Sequence, residues 1–152
     1  MELLSLEHGK LARRQPVVAA RPPNAADFAT LRAAFSGSGG LARGDELAQL
    51  LQDRCRGDFL SLARLIAARR IFSFPWHHSL WVPMFQFDPL DLSIRDTPQQ
   101  VAARLAGGLD GWALALWCAL PNRCLAGWRP VDLLHSNLPA VLRAAADREA
   151  AP

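Results

Sequence analysis

"LWCALPNRCLAGWRPVDLL", residues Leu116–Leu134, decides how the C-terminal half of this chain is read. It begins as apolar helix, breaks at Pro121–Asn122 and restarts at Pro130. Pro121 stops a helix because it lacks an N–H and its ring clashes with the preceding turn. Asn122 bonds its own backbone and tolerates turn geometry. Gly127 permits a sharp reversal. Pro130 presets the next helix, and Asp132 complements the positive end of that helix. The pattern predicts a helix–turn–helix corner that is rigid before any partner arrives. Trp128, Arg123 and Arg129 are its candidate contacts, because aromatic residues and Arg are favoured at binding hot spots; that Trp128 instead covers its own core stays equally open.

The reading extends outward from this corner. A helix over Asp110–Leu120 is apolar nearly all round, which predicts a central place in the core, with Trp112 and Trp117 inside. Its apolar run Trp112–Leu120 is too short to span a bilayer. Upstream, "TPQQVAARLAGG" predicts a helix with Thr97 as N-cap, Pro98 at N1 and Gln100 completing a capping box. Gly107–Gly108 ends it. Downstream, Pro130–Leu134 forms a short helix. Asn137 caps a last one, Leu138–Arg148, with Val141, Leu142 and Ala145 inward.

"IFSFPWHHSLWVPMFQF", Ile71–Phe87, is β-favouring and predicts a hairpin with a break at Pro75–Ser79. Its second arm covers Leu80–Val82 and Met84–Phe87. Pro83 donates no ladder hydrogen bond, so an edge position is expected. Before the hairpin, Arg43–Gln52 and Asp58–Arg70 predict two helices across the polar turn Asp53–Gly57. Their stripes are Leu47, Leu50 and Leu51, and Phe59, Leu62 and Ile66. The pair is consistent with a helix-turn-helix. In that reading Arg54, Arg56, Ser61, Arg64, Arg69 and Arg70 face DNA. Asp58 opposes it, because it opens the helix where a phosphate would sit. Scaffold and DNA reader both stay open for this pair. Asp27–Phe35 predicts a further short helix with Phe28, Leu31 and Phe35 on one face, ended by "SGSGG". Residues 1–25 read as a flexible arm.

With 152 residues and 51% hydrophobic content, the chain is long enough for a core of its own. The net charge of +3 is mildly basic, compatible with nucleic acid and too weak to establish it. No signal peptide is visible in Met1–Arg14, so the three Cys read as reduced thiols in the cytoplasm. Only Lys10 is Lys; the Arg bias with abundant Ala and Leu points to a GC-rich bacterial genome.

Catalytic and metal patterns are weak. His77–His78 with Cys118 and Cys124 lack zinc-site spacing, and adjacent histidines in a turn rarely reach one ion. Cys124 and His135 lack an oxyanion-hole signature. Asp88 and Asp91 read as solvated loop carboxylates. The chain has no phosphate-binding loop and no dinucleotide fingerprint. The expectation is a protein that is not an enzyme, with no metal and no cofactor.

"WALALWCALPNRCLAGWRPVDLL" resembles the C-terminal toxin-binding domain of Xre/MbcA/ParS-type antitoxins. The matching positions are Pro121, Asn122, Leu125, Gly127, Pro130, Asp132, Leu133 and Leu134. "RRIFSFPW…LWVPMFQFD" resembles the preceding hairpin of that family, which closes on an "FQF" strand. "GDELAQLL…DFLSLARLIAARRIF" is similar to its helix-turn-helix. The resemblance covers about residues 40–148. Arg123 stands where the family often has Pro, and Ala126 where a second Gly is common.

The resemblance implies a mainly α fold with a small β-hairpin. It implies a degenerate helix-turn-helix region over 26–70 and a hairpin plus helical toxin-binding domain over 71–152. It also implies a type II antitoxin that blocks the active site of a RES-like, NAD-consuming toxin. The partner-binding residues would be Asn122, Arg123, Leu125, Gly127, Trp128, Arg129 and Asp132. Operator DNA is a possible second partner, no membrane is involved, and the assembly is a homodimer or a hetero-oligomer with toxin. The alternative is a DNA-binding regulator whose C-terminal domain dimerises.

Overall fold

The computed structural model describes residues 22–150. The expected arm over 1–25 lies, up to residue 21, outside the described residues. The first helix among the described residues, α1 (Ala25–Phe35), starts behind Asn24. The Asn24 side chain accepts from the Asp27 N–H, and the Asp27 carboxylate accepts from the Asn24 N–H, so two helix-end donors are satisfied reciprocally. Leu31 and Phe35 are fully buried, and the Phe28 ring stacks 5.5 Å from Trp76.

The chain continues through β1 (Leu41–Arg43), α2 (Gly44–Asp53), α3 (Phe59–Ala67), β2 (Phe74–Trp76) and β3 (Ser79–Pro83). It closes with α4 (Asp96–Leu105), α5 (Gly111–Ala119), α6 (Pro130–Leu133) and α7 (Leu138–Ala150). The fold is mainly helical with a small antiparallel sheet. No helix among the described residues is long and apolar enough to cross a membrane.

The sheet has three strands in the order β1-β3-β2, one more than the expected hairpin. Phe74 pairs with Trp81 and Trp76 with Ser79, which leaves His77 and His78 as a two-residue turn. Both have positive φ, 48° and 61°, the turn geometry that matches strand twist. Pro75 therefore lies in the edge strand β2, not in the break. Pro83 does not lie on an edge: it ends the central strand, opposite Leu41. The cost is small there, because the next residue, Met84, donates its N–H to the Gly40 carbonyl at 2.9 Å.

Beyond Pro83 the expected strand Met84–Phe87 is a 3-10 turn over Met84–Gln86. Gln86 causes the difference. Its side chain is 2% exposed and turns inward. It accepts the Phe72 N–H at 2.8 Å and donates to the Phe72 and Pro83 carbonyls, each at 3.0 Å. A side chain thus supplies the hydrogen bonds that a ladder would have made.

Two cores flank the sheet. The larger holds Leu31, Phe35, Phe74, Phe85, Trp112, Leu125, Leu134 and Val141 among others, from α1 and the C-terminal helices. The smaller holds Leu47, Leu51, Leu62, Ile71, Val82, Phe87 and Leu92. Grouped by packing, α1 goes with the C-terminal helices rather than with α2 and α3.

Two local expectations change. Helix α4 starts at Asp96 with Arg95 as N-cap, and no side chain caps it. Thr97 is inside the first turn, and its hydroxyl meets His135 Nδ1 at 3.2 Å instead of making a capping box. Helix α3 ends at Ala67, and Phe59 is 65% exposed rather than buried. The small core reaches only to Leu62, so the first turn of α3 has no apolar cover.

Candidate functional site

The corner between α5 and α6 is held by its own backbone. The Asn122 side chain accepts the Cys124 N–H at 2.8 Å, and its carbonyl accepts the Leu125 and Gly127 N–H groups. Asn122 N–H donates to the Trp128 carbonyl at 3.0 Å, closing the loop, and Trp128 N–H donates to the Leu125 carbonyl. Gly127 takes φ 86°. Ala126, where a second Gly was the resemblance's norm, keeps the left-handed conformation at φ 55°. The turn is therefore reached at a cost that a glycine would avoid.

Three residues of the predicted contact set sort differently once placed. Leu125 is buried in the larger core and anchors the loop from below. Arg129 and Asp132 form a two-pronged pair, Nε–Oδ2 at 2.7 Å and NH2–Oδ1 at 3.0 Å. This pair holds the Arg129 guanidinium above its already high range, through the Asp132 hydrogen bond first. Arg129 thus braces the start of α6. What remains on the surface is Trp128, 60% exposed, with Leu120 and Arg123 also exposed. Arg123 forms no ion pair among the described residues. Asn122 and Gly127 shape the loop.

Trp112 and Trp117, by contrast, pack inward, as their helix predicts. The Trp112 indole N–H donates to the Pro75 carbonyl. The α5 N-terminus presses on the hairpin so closely that a Cβ on Gly111 would lie 1.8 Å from the Ser73 carbonyl oxygen. The start of α5, the helix that leads into the corner, is therefore tightly seated on the hairpin.

Three of the residues proposed for DNA are engaged within the fold. Arg54 donates to the Leu90 carbonyl at 2.9 Å, and Arg56 lies 3.8 Å from Asp91. Both are drawn toward the 88–94 loop. Ser61 is consumed by capping: Asp58 accepts its N–H at 2.9 Å and its hydroxyl at 3.0 Å. Those bonds hold the Asp58 carboxyl below the usual range, so negative charge sits at the start of α3. Arg64 is exposed beyond it, and Arg69 follows the helix at φ 58°. Phe59 and Leu60 are also exposed on α3. That is an apolar offering rather than a base-reading one.

The remaining candidates are placed as follows. Cys118 is buried, which pushes its thiol up to about 12. Cys124 is exposed. Both ring nitrogens of His135 are engaged: Nε2 with Arg95 at 2.9 Å and Nδ1 with Thr97. Arg can only donate, so Nε2 accepts and the proton of the neutral ring is on Nδ1. Burial first, then the Arg95 charge, lowers the His135 pKa. Asp88 and Asp91 bind amides of their own loop. Comparison with known proteins returns no matching family, no matching curated protein and no matching solved structure.

Proposed function

We propose that this chain is the antitoxin of a type II toxin–antitoxin pair, acting in the cytoplasm, that binds a RES-like, NAD-consuming toxin and blocks its active site. The observation that carries the reading is Trp128: a large ring, 60% exposed, on a loop whose backbone is closed by its own hydrogen bonds. Trp and Arg are the residue types enriched at interface hot spots, and Trp128 shares this corner with the exposed Arg123. Holding it rigid lowers the ordering cost of binding. The resemblance of the surrounding sequence to the toxin-binding domain supplies the kind of partner.

The test is co-expression with the product of the neighbouring reading frame, followed by co-purification and a cellular NAD⁺ assay. A toxic neighbour that depletes NAD⁺ and is silenced in a stable complex supports the proposal. Trp128→Ala combined with Arg123→Ala should raise the complex Kd by about 30-fold or more, the size of a hot-spot loss near 2 kcal/mol. Unchanged Kd and unchanged protection would sink the contact. The alternative, a DNA-binding regulator, predicts retardation of upstream DNA that weakens steeply with salt. Asp58 and the exposed Phe59 and Leu60 weigh against it, because they offer phosphates repulsion and bases no hydrogen bonds.

A further inference from the structure

A cleft of about 380 Å³ lies between the turn after α1 and the segment leading into α4. Apolar side chains from Leu50, Met84 and Phe87 line it, together with Ser38 and two arginines, Arg54 and Arg95. No carboxylate is among the described residues that line it. The two carboxylates of the adjoining loop have their own contacts. Asp88 accepts the Leu90 N–H, and Asp91 accepts the N–H and hydroxyl of Ser93 and faces Arg56.

Neither cleft arginine forms an ion pair among the described residues. Arg54 donates to a backbone carbonyl and Arg95 to the imidazole Nε2 of His135. Both partners are neutral acceptors, and a guanidinium has several more N–H donors to give. Two other cavities differ in this respect. One is lined by both Arg69 and Asp110, the other by both Arg143 and Asp147. Only the Arg54–Arg95 cleft, of these three, combines apolar lining with two arginines and no lining carboxylate.

We infer that this cleft binds a small organic anion: a carboxylate or phosphate carried on an apolar or aromatic body. The anionic group would meet the two guanidinium groups, where charge-assisted and two-pronged hydrogen bonds are strongest. The body would cover Leu50, Met84 and Phe87. The volume falls at the low end of small-molecule pockets, roughly 300–1,000 Å³. Such a ligand would join the end of α2, which packs on the small core, to the start of α4, which packs on the large one.

The test is an NMR titration of the full chain with 1-naphthoate, 1-naphthyl phosphate and neutral 1-naphthylmethanol. Both anions should saturate with Kd on the order of 1 mM or tighter, a modest expectation for so few atoms. They should shift the amides of Gly37, Ser38 and Gly39. The neutral analogue should bind at least about 10-fold more weakly, the loss expected for one charge-assisted hydrogen bond. A tighter phosphate or a tighter carboxylate assigns the anionic group. Arg54→Gln should weaken both anions about 10-fold and leave the neutral analogue unchanged. Gly37 lines the cleft and has open space where a Cβ would stand, so Gly37→Leu should obstruct binding while the chain stays folded. Equal binding of the neutral analogue, shifts confined to other surfaces, or no saturation by roughly 10 mM would overturn the inference.

Discussion

Two turns in this molecule each join a pair of helices, and each displays an aromatic ring beside arginines. The turn between α2 and α3 shows Phe59 and Leu60 near Arg54 and Arg56. The corner between α5 and α6 shows Trp128 near Arg123 and Arg129. Both rely on left-handed residues, Cys55 in the first and Ala126 with Gly127 in the second. The difference lies behind the display. Trp128 bonds through its backbone N–H to Leu125, which belongs to a core of twenty buried residues among those described. Phe59 stands beyond the reach of a core of eight. The Arg129–Asp132 pair is short and two-pronged, whereas Arg56 and Asp91 are a half-exposed pair at 3.8 Å. An exposed ring is thus a weak sign of a binding surface. The anchoring beneath it decides whether binding is preorganised.

The comparison breaks most directly at two glycines. Gly111→Ala drives a Cβ into the Ser73 carbonyl and should cost about 3 kcal/mol or more, loosening the seat of the helix that leads into the corner. Gly57→Ala meets Ser61 Cβ at 2.8 Å and strained backbone at φ 150°, and should cost about 1–3 kcal/mol. Urea unfolding followed by tryptophan fluorescence ranks them. A larger loss at Gly57 would reverse the order of the two turns.

Gln86→Leu tests the link between the cores. It leaves the Phe72 N–H and two carbonyls without partners, for about 2–3 kcal/mol. Amide hydrogen exchange should speed up in α2 and α3 and change less in α5 and α7. Uniform acceleration would show that the cores open as one unit.

Surface changes come next. Trp128→Ala and Phe59→Ala should each move stability by less than about 1 kcal/mol, and only the first should weaken the toxin complex. Equal weakening would erase the functional distinction between the turns. Ala126→Gly should stabilise by less than about 1 kcal/mol, by relieving a left-handed alanine against a more flexible unfolded chain. A lower melting temperature would contradict that account.

The pH response should be the smallest effect. His135 has a folded-state pKa below its ordinary 6.5, so the neutral ring is favoured in the fold. Its contribution is present above about pH 6.5 and is lost as pH falls through the lower folded value. Melting temperature should therefore decline between neutral pH and pH 5, and His135→Gln should flatten that decline. A second loss belongs to Asp58, whose lowered pKa makes its stabilisation disappear only below the usual carboxylate range.

Local chemistry was legible where a signal acts within a few residues and no distant partner competes for it, as His135 does for Thr97. Pro121, Asn122 and Gly127 mark the corner, Pro130 starts α6, and the periodicity of Leu31 with Phe35 and of Val141 with Ala145 marks buried faces. Those signals are turns, N–H bookkeeping and helical spacing, and they need no distant partner. Other features needed the assembled fold. Leu41–Arg43 becomes a strand only because β3 pairs with it, and that pairing moves Pro83 to the centre of the sheet. Phe59 carries an inward pattern that a small core cannot cover. Gln86 looks like a strand residue until Phe72 presents its backbone. Arg54 and Arg95 face one cleft because two distant turns meet. By itself the sequence determined the starts of α3, α5 and α6, the turn residues of the corner and the mainly helical class, since these depend on neighbours along the chain. Strand order, burial and the charge balance of the cavities were decided by tertiary structure, since they depend on which surfaces are left to meet.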